Sequence, residues 1–184
     1  MSYVPHDVGG PGRTAEIDAA EKLVALHAIH AARFGLERDT LIGPLPQPNG
    51  EMVSWIDFFR ERRLLAMTRR ADAAGRLPAG FAARLERLAG KLDGLLEEPP
   101  APALLHGDAW SGNLLFRGDR IAAFVDPAIY YGHPEIELAF TRLFGPFGET
   151  FYTAYAQRAR IAPGFFEVRA ALYNLYPLLV HGHL

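Results

Sequence analysis

The stretch His106-Gly107-Asp108-Ala109-Trp110-Ser111-Gly112-Asn113, followed by Val125-Asp126-Pro127, decides the reading of this chain. Before it, Leu104-Leu105-His106 reads as a short apolar strand. After it, Leu114-Leu115-Phe116 and Ile121 to Val125 read as a hairpin about Gly118-Asp119. Two acids and an amide therefore stand where one strand ends and where the returning strand of a hairpin ends. Asp108, just past an apolar strand, is held rigidly yet reaches a cleft, which suits orienting a hydroxyl and accepting its proton. Asn113 and Asp126 offer an amide oxygen and a carboxylate to one hard cation, and oxygen-only ligation of this kind suits Mg²⁺.

Working outward, strand character is confined to this region and the rest reads as helix. From Thr14 to about Phe34, Ile17, Ala20, Val24, Ala28 and Ala31 form one apolar stripe, with Gly35 as C-cap. Residues 39–53 hold Pro44, Pro46, Pro48 and Asn49-Gly50 and read as an extended, ordered loop. Ser54 with Asp57 reads as a capped start to a helix that runs from Trp55 to Ala74. Pro78 opens a further helix carrying Phe81, Leu85, Leu88 and Leu92, and Glu97 to Pro102 breaks it. From Glu135 two or three helical segments follow, broken near Gly145-Pro146 and Pro163-Gly164, and the last is very apolar. The expectation is an α+β fold, mostly helical, around one small β-hairpin sheet. Residues 1–13, with Pro5, Gly9, Gly10, Pro11 and Gly12, form an irregular lead-in, and residues 14–184 form one domain.

Composition narrows the function classes. The chain has 184 residues, 49% hydrophobic and 22% charged, and a formal net charge of -2. That balance gives no general surface for nucleic acid or anionic membrane. No apolar run is long enough for a membrane span, and the first residues lack the apolar core of a signal peptide. With no cysteine, disulfides, thiol nucleophiles and zinc–thiolate sites are excluded, and a cytoplasmic location fits. The basic residues are nearly all arginine; the only lysines are Lys22 and Lys91.

A lone acid at a strand end is ordinarily a turn cap, and Asp119 fits that reading. The combined spacing with His106 and Trp110 sets Asp108, Asn113 and Asp126 apart. His106 reads as structural, bonding backbone and holding the loop. Trp110 suits either stacking on a substrate or covering the core. His27 and His30, on a helix flank, read as partly buried structural histidines, and the terminal His181 and His183 carry little weight.

Asp108, Asn113 and then Asp126 after a hairpin is the order of a kinase catalytic loop and metal site. The longer run Leu105-His106-Gly107-Asp108-x-Trp110-Ser111-Gly112-Asn113 continues through Asp126-Pro127-Ala128, Tyr130-Tyr131-Gly132-His133, Glu135 and Glu137-Leu138-Ala139. It resembles the fructosamine/ketosamine kinase family, within the aminoglycoside-phosphotransferase-like kinases. Leu26-His27, Phe34-Gly35-Leu36, Pro46-Gln47-Pro48-Asn49 and Trp55 with Phe58-Phe59 extend the resemblance, which runs from about residue 14 to the end. It implies the C-terminal lobe of a protein-kinase-like fold that uses ATP and Mg²⁺. It also implies transfer of the γ-phosphate to a sugar hydroxyl of a ketosamine, as a small molecule or on a protein. On this resemblance Asp108 is the catalytic base and Asn113 and Asp126 are the metal ligands. Trp110, Tyr131 and His133 lie toward the acceptor, and His106 and His27 support the site structurally.

Kinases of this kind also carry an N-terminal β lobe with a phosphate-covering loop and a lysine for the phosphates. Here nothing before Ala103 reads as a strand series. Gly9-Gly10-Pro11-Gly12 has the wrong spacing for a phosphate loop, and both lysines fall in helices. The expectation is a chain that starts at the hinge, with the N-terminal β lobe missing. Alone it turns over weakly or not at all, unless a partner supplies the lobe or copies of the chain associate. The alternative readings are a non-catalytic kinase-like binding module, and a metal-dependent phosphohydrolase using His106, Asp108, Asn113, Asp126 and His133.

Overall fold

The structure, a computed structural model, describes residues 4–7, 12–145 and 147–183. The lead-in positions Gly9, Gly10 and Pro11, and the helix break at Pro146, lie outside the described residues. Among the described residues, the chain is mostly helical, with three small antiparallel sheets of two strands each in place of the single one expected.

Helix α1 (Arg13–His27) packs on α6 (Glu149–Ala156). The Glu16 carboxylate fixes that packing by accepting the N–H groups of Gly148 and Phe151 at the start of α6. α1 stops at His27 and does not reach Phe34. Beyond it the chain runs along a sheet: Ile29 carbonyl accepts the Leu104 N–H, and Gly35 exchanges two backbone hydrogen bonds with Tyr131. Gly35 has φ +98, and a Cβ there would lie 2.0 Å from the Asn49 carbonyl oxygen. This glycine serves a close approach between strands and does not cap the helix.

The proline-rich segment is a hairpin, β1 (Thr40–Ile42) with β2 (Leu45–Gln47), turning at Gly43. One helical rod then follows in three parts: α2 (Trp55–Phe58), a π-helical turn (Phe59–Leu65) and α3 (Ala66–Ala73). Ser54 Oγ accepts the Asp57 N–H at 3.1 Å, and Glu98 accepts the N–H groups of Trp55 and Ile56, so the rod's first donors are satisfied. Helix α4 (Phe81–Ala89) begins after Gly80 in the left-handed conformation, later than Pro78.

Strand β3 (Ala103–Leu105) pairs with β6 (Tyr130–Gly132), and β4 (Leu114–Arg117) pairs with β5 (Arg120–Phe124). Helix α5 (Pro134–Phe144) follows β6 and packs on α7 (Ala170–His183), which a second π-helical turn (Phe165–Arg169) introduces. The core between these helices is aromatic: Trp55, Phe58, Phe59, Tyr130 and Tyr173 are all almost fully buried. The two polar tips at its centre satisfy each other, with Trp55 Nε1 donating to Tyr173 Oη at 3.0 Å. Among the described residues, no helix is long and apolar enough to cross a membrane.

Candidate active site

The site is built on the loop between β3 and β4. At its base the fully buried Glu137 of α5 accepts the His106 N–H at 2.9 Å and the Gly107 N–H at 2.6 Å. His27 Nε2 lies 3.0 Å from the same carboxylate, and His27 Nδ1 lies 2.8 Å from Tyr155 Oη. Burial pushes the Tyr155 phenol up, so it stays protonated, and the His27 Nε2–H donates to the Glu137 carboxylate. Burial alone would raise the Glu137 carboxyl. The His27 hydrogen bond and charge, aided by His106, outweigh it and hold Glu137 below the ordinary carboxylate range.

Gly107 lets the loop turn. Its φ is +82, and a Cβ would stand 2.1 Å from the Ala128 carbonyl oxygen. His106 Nδ1 accepts the Asp108 N–H at 3.3 Å, and its Nε2 is buried with no hydrogen-bond partner among the described residues. His106 therefore organises the loop through its backbone and Nδ1.

Asp108 is half-buried. Burial raises its carboxyl above the usual value, against the opposing pull of the Asn113 hydrogen bond and of nearby His106 and His181. Asn113 Nδ2 donates to the Asp108 carbonyl oxygen at 2.9 Å and to its carboxylate at 2.8 Å. Both amide protons are thereby used, which leaves Asn113 Oδ1 as an acceptor. The hairpin brings Asp126 alongside: Val125 N–H donates to the Asn113 carbonyl at 2.9 Å, and Asp126 is the next residue. Asp126 is exposed and has φ 52, so it is the only non-glycine with positive φ among the described residues. Its carboxylate takes no hydrogen bond or ion pair within the described residues. A strained backbone carrying an unpartnered acid, next in sequence to the residue that pairs with the Asn113 backbone, together with the available Asn113 amide oxygen, offers oxygen donors that suit a hard cation such as Mg²⁺.

The other expected site residues separate into two groups. Trp110 is half-buried over the loop. A Cβ on Gly112 would meet its ring at 2.5 Å, and the His181 ring stands edge-on to it at 6.3 Å between centroids. His133 instead caps α5, its Nδ1 accepting the Glu135 N–H at 3.1 Å, and it packs against Trp55 and Tyr173. Burial, then the charge of Arg169, pulls its pKa down to about 3. Tyr131 pairs with Leu104 in the β3–β6 ladder and with Gly35. No hydrogen bond, ion pair or ring contact in the described residues joins Tyr131 or His133 to Asp108, and His27 sits under the loop, on Glu137.

His181 is the residue that sequence reasoning passed over. It is on the last turn of α7, where its Nδ1 bonds the Pro177 carbonyl at 2.9 Å and its ring lies 4.4 Å from that of Phe144. Only the packing of α7 across α5 carries it to Trp110 and Asp108. Lys22 is engaged elsewhere: its Nζ lies 2.8 Å from the buried Asp18 carboxylate, which also accepts the Ile121 N–H.

The fructosamine kinase family model matches residues 1–184. A protein described as a probable ketoamine kinase in Synechocystis sp. is 42% identical over 170 residues, covering 89% of this chain and 55% of the relative. The chloroplastic protein-ribulosamine 3-kinase of Arabidopsis thaliana is 35% identical over 185 residues, covering 97% of this chain and 54% of the relative. This chain thus spans about half the length of those relatives. A crystal structure described as a fructosamine-3-kinase candidate from Thermobifida fusca superposes with a TM-score of 0.92 at 37% identity, covering all of this chain and 63% of that one. The gentamicin–APH(2")-IIa complex, an aminoglycoside phosphotransferase, matches with a TM-score of 0.61 at 17% identity and shares the kinase-like fold. On the match across its whole length, this chain belongs to the fructosamine kinase family.

Proposed function

We propose that this chain carries the acceptor-binding and Mg²⁺-binding half of an ATP-dependent kinase acting on a sugar hydroxyl of a ketosamine. The observation that carries the reading is the double use of the Asn113 amide. Its Nδ2 is committed to Asp108, which leaves Oδ1 as an acceptor, and the unpartnered Asp126 follows Val125, whose N–H donates to the Asn113 carbonyl. The descriptions of the relatives as ketoamine and ribulosamine kinases support the acceptor class.

In this reading the Asp108 carboxylate orients the acceptor hydroxyl and takes its proton as the hydroxyl oxygen bonds to phosphorus and ADP leaves. Its raised pKa makes it a better base than an ordinary exposed aspartate. Asn113 and Asp126 hold Mg²⁺, which when bound neutralises phosphate charge. Trp110 and His181 form the wall against which the acceptor sits.

Phosphoryl transfer depends on positioning and charge neutralisation. Among the described residues no lysine follows a strand, and Lys22 is bound to Asp18. Absence of one charged donor costs about 2–4 kcal/mol of transition-state stabilisation, so these 184 residues alone turn over slowly. A further β lobe, a partner or a second copy completes the site.

The test is Mg²⁺-dependent phosphate transfer from ATP to a fructosyl- or ribulosyl-lysine peptide, with Asp108→Asn as control. The same pair is then measured after fusion to the N-terminal lobe of a relative. Slow transfer by the chain, faster transfer by the fusion and none by Asp108→Asn are expected. Transfer that survives Asp108→Asn would overturn the assignment of the base. A fusion that binds Mg²⁺ and ATP but transfers nothing would favour a non-catalytic binding module.

A further inference from the structure

Arg63 has no part in that chemistry, yet it is among the largest fully buried side chains. The π-helical turn delivers it into the core, where its guanidinium lies 3.9 Å from the centre of the Tyr130 ring and 4.7 Å from that of Phe58. A guanidinium has five N–H donors. Nη1 donates to the Pro48 carbonyl at 2.6 Å and the Arg62 carbonyl at 3.1 Å, and Nη2 donates to Asn49 Oδ1 at 2.7 Å. The Nε–H is buried with no hydrogen-bond partner, and no carboxylate pairs with Arg63 among the described residues. Ring faces and carbonyls offset part of a buried charge, but buried cations are ordinarily matched by an anion.

Beside Arg63 is a cavity of about 60 Å³, lined by Pro46, Pro48, Arg62, Arg63, Arg70 and Tyr176 along with two apolar side chains of α3. One water needs only about 10–15 Å³ on this measure, so the space admits a small polyatomic ion but no sugar or nucleotide. Its charged lining is three arginines and no acid. Neither Arg62 nor Arg70 has a hydrogen bond or ion pair from its side chain within the described residues. Arg62 is exposed and Arg70 half-buried, so the cavity opens toward solvent on their side.

We propose that this cavity binds a phosphate-type oxyanion, as the free ion or as the head of a small phosphomonoester. Arg62 and Arg70 supply N–H donors from the surface side, and the buried Arg63 charge, which no acid matches, attracts the anion from beneath without touching it. The planar donor fork of arginine suits such a group better than a lysine would. None of these residues belongs to the Asp108–Asn113–Asp126 site. The anion site therefore stands whether or not the proposed kinase reading does.

Thermal unfolding in the presence of a chelator, at ionic strength fixed with sodium chloride, tests this. The probes are inorganic phosphate and glycerol 3-phosphate, added to the wild type, Arg62→Gln, Arg70→Gln and Asp126→Asn. The midpoint should rise linearly with the logarithm of phosphate concentration above Kd, equally in the wild type and Asp126→Asn. Arg70→Gln and Arg62→Gln should each weaken the response about tenfold or more in Kd. An equal rise with glycerol 3-phosphate identifies a monoester site, and a rise with phosphate alone identifies a free-ion site. A midpoint that follows ionic strength alone would overturn the proposal. So would a phosphate response undiminished in both arginine variants, or one lost in Asp126→Asn. Both arginine substitutions lie at the mouth of the cavity, so the test does not depend on an Arg63 variant that fails to fold.

Discussion

His27 and Glu137 come from helices α1 and α5, yet their side chains meet at 3.0 Å in the core beneath the loop that carries Asp108. Glu137 also accepts the N–H groups of His106 and Gly107. One buried acid thus ties two helices to the backbone that precedes Asp108. Glu137→Gln replaces an acceptor with an amide that cannot satisfy the same three donors. The expected loss of stability is about 3–5 kcal/mol, as for breaking other buried pairs. It is read from the denaturant midpoint, with an unchanged slope if folding stays two-state.

Asn113→Ala should shift the Asp108 titration upward. The Asn113 hydrogen bond favours the ionised carboxylate and opposes the desolvation that raises it. Removing the bond leaves desolvation stronger, so the acid limb of any Asp108-dependent activity moves to higher pH. Carbon NMR of the Asp108 carboxyl in wild type and variant reads this directly, and a downward shift would contradict the assigned geometry.

His133 should make the fold acid-sensitive. Burial lowers its pKa from 6.5 to about 3, with Arg169 and His27 adding to the effect and Glu98 opposing it. Its Nε2 stands 4.0 Å from Glu135, which Arg169 already holds in a bidentate pair. The folded pKa lies below the unfolded one, so unfolding takes up a proton between those values. The stabilisation is complete above pH 6.5 and declines as pH falls toward 3. By pH 5 this group alone accounts for about 2 kcal/mol of lost stability. His133→Asn keeps a helix cap and removes the titration, so its stability should fall less between pH 7 and 5 than that of the wild type.

Gly112→Ala should displace Trp110. The added Cβ would meet the indole at 2.5 Å, and the ring must move off the loop and away from His181. The other tryptophan, Trp55, is fully buried and hydrogen-bonded to Tyr173, so it reports a constant signal. A red shift and easier quenching of fluorescence are expected. The denaturant midpoint should change by less than about 1 kcal/mol, because the loop is at the surface.

Local chemistry determined what the sequence by itself could tell. The apolar strands flanking Asp108, the hairpin turn at Gly118-Asp119 and the Ser54 cap are set by neighbours a few residues apart, and they appear in the structure where the pattern put them. The family was legible for the same reason, since its motif is a contiguous run. Gly35 was misread because its conformation follows from the approach of Asn49 and the pairing with Tyr131, which no nearby residue reveals. The proline-rich hairpin and strand β6 were missed because three-residue strands carry too little periodicity to register.

Tertiary structure alone decided which histidines lie near Asp108 and Trp110. His133 lies within the recognised motif, yet the packing of α5 turns it into a buried cap. His181 sits near the end of the chain, yet the crossing of α7 over α5 brings it to Trp110. Arg63 looks like any arginine on a helix, and only the π turn drives it into an aromatic core beside an acid-free cavity. Sequence spacing fixes contacts within a turn or a strand pair, whereas these placements depend on how whole helices pack, and packing is settled by the sum of buried surfaces far apart in the chain.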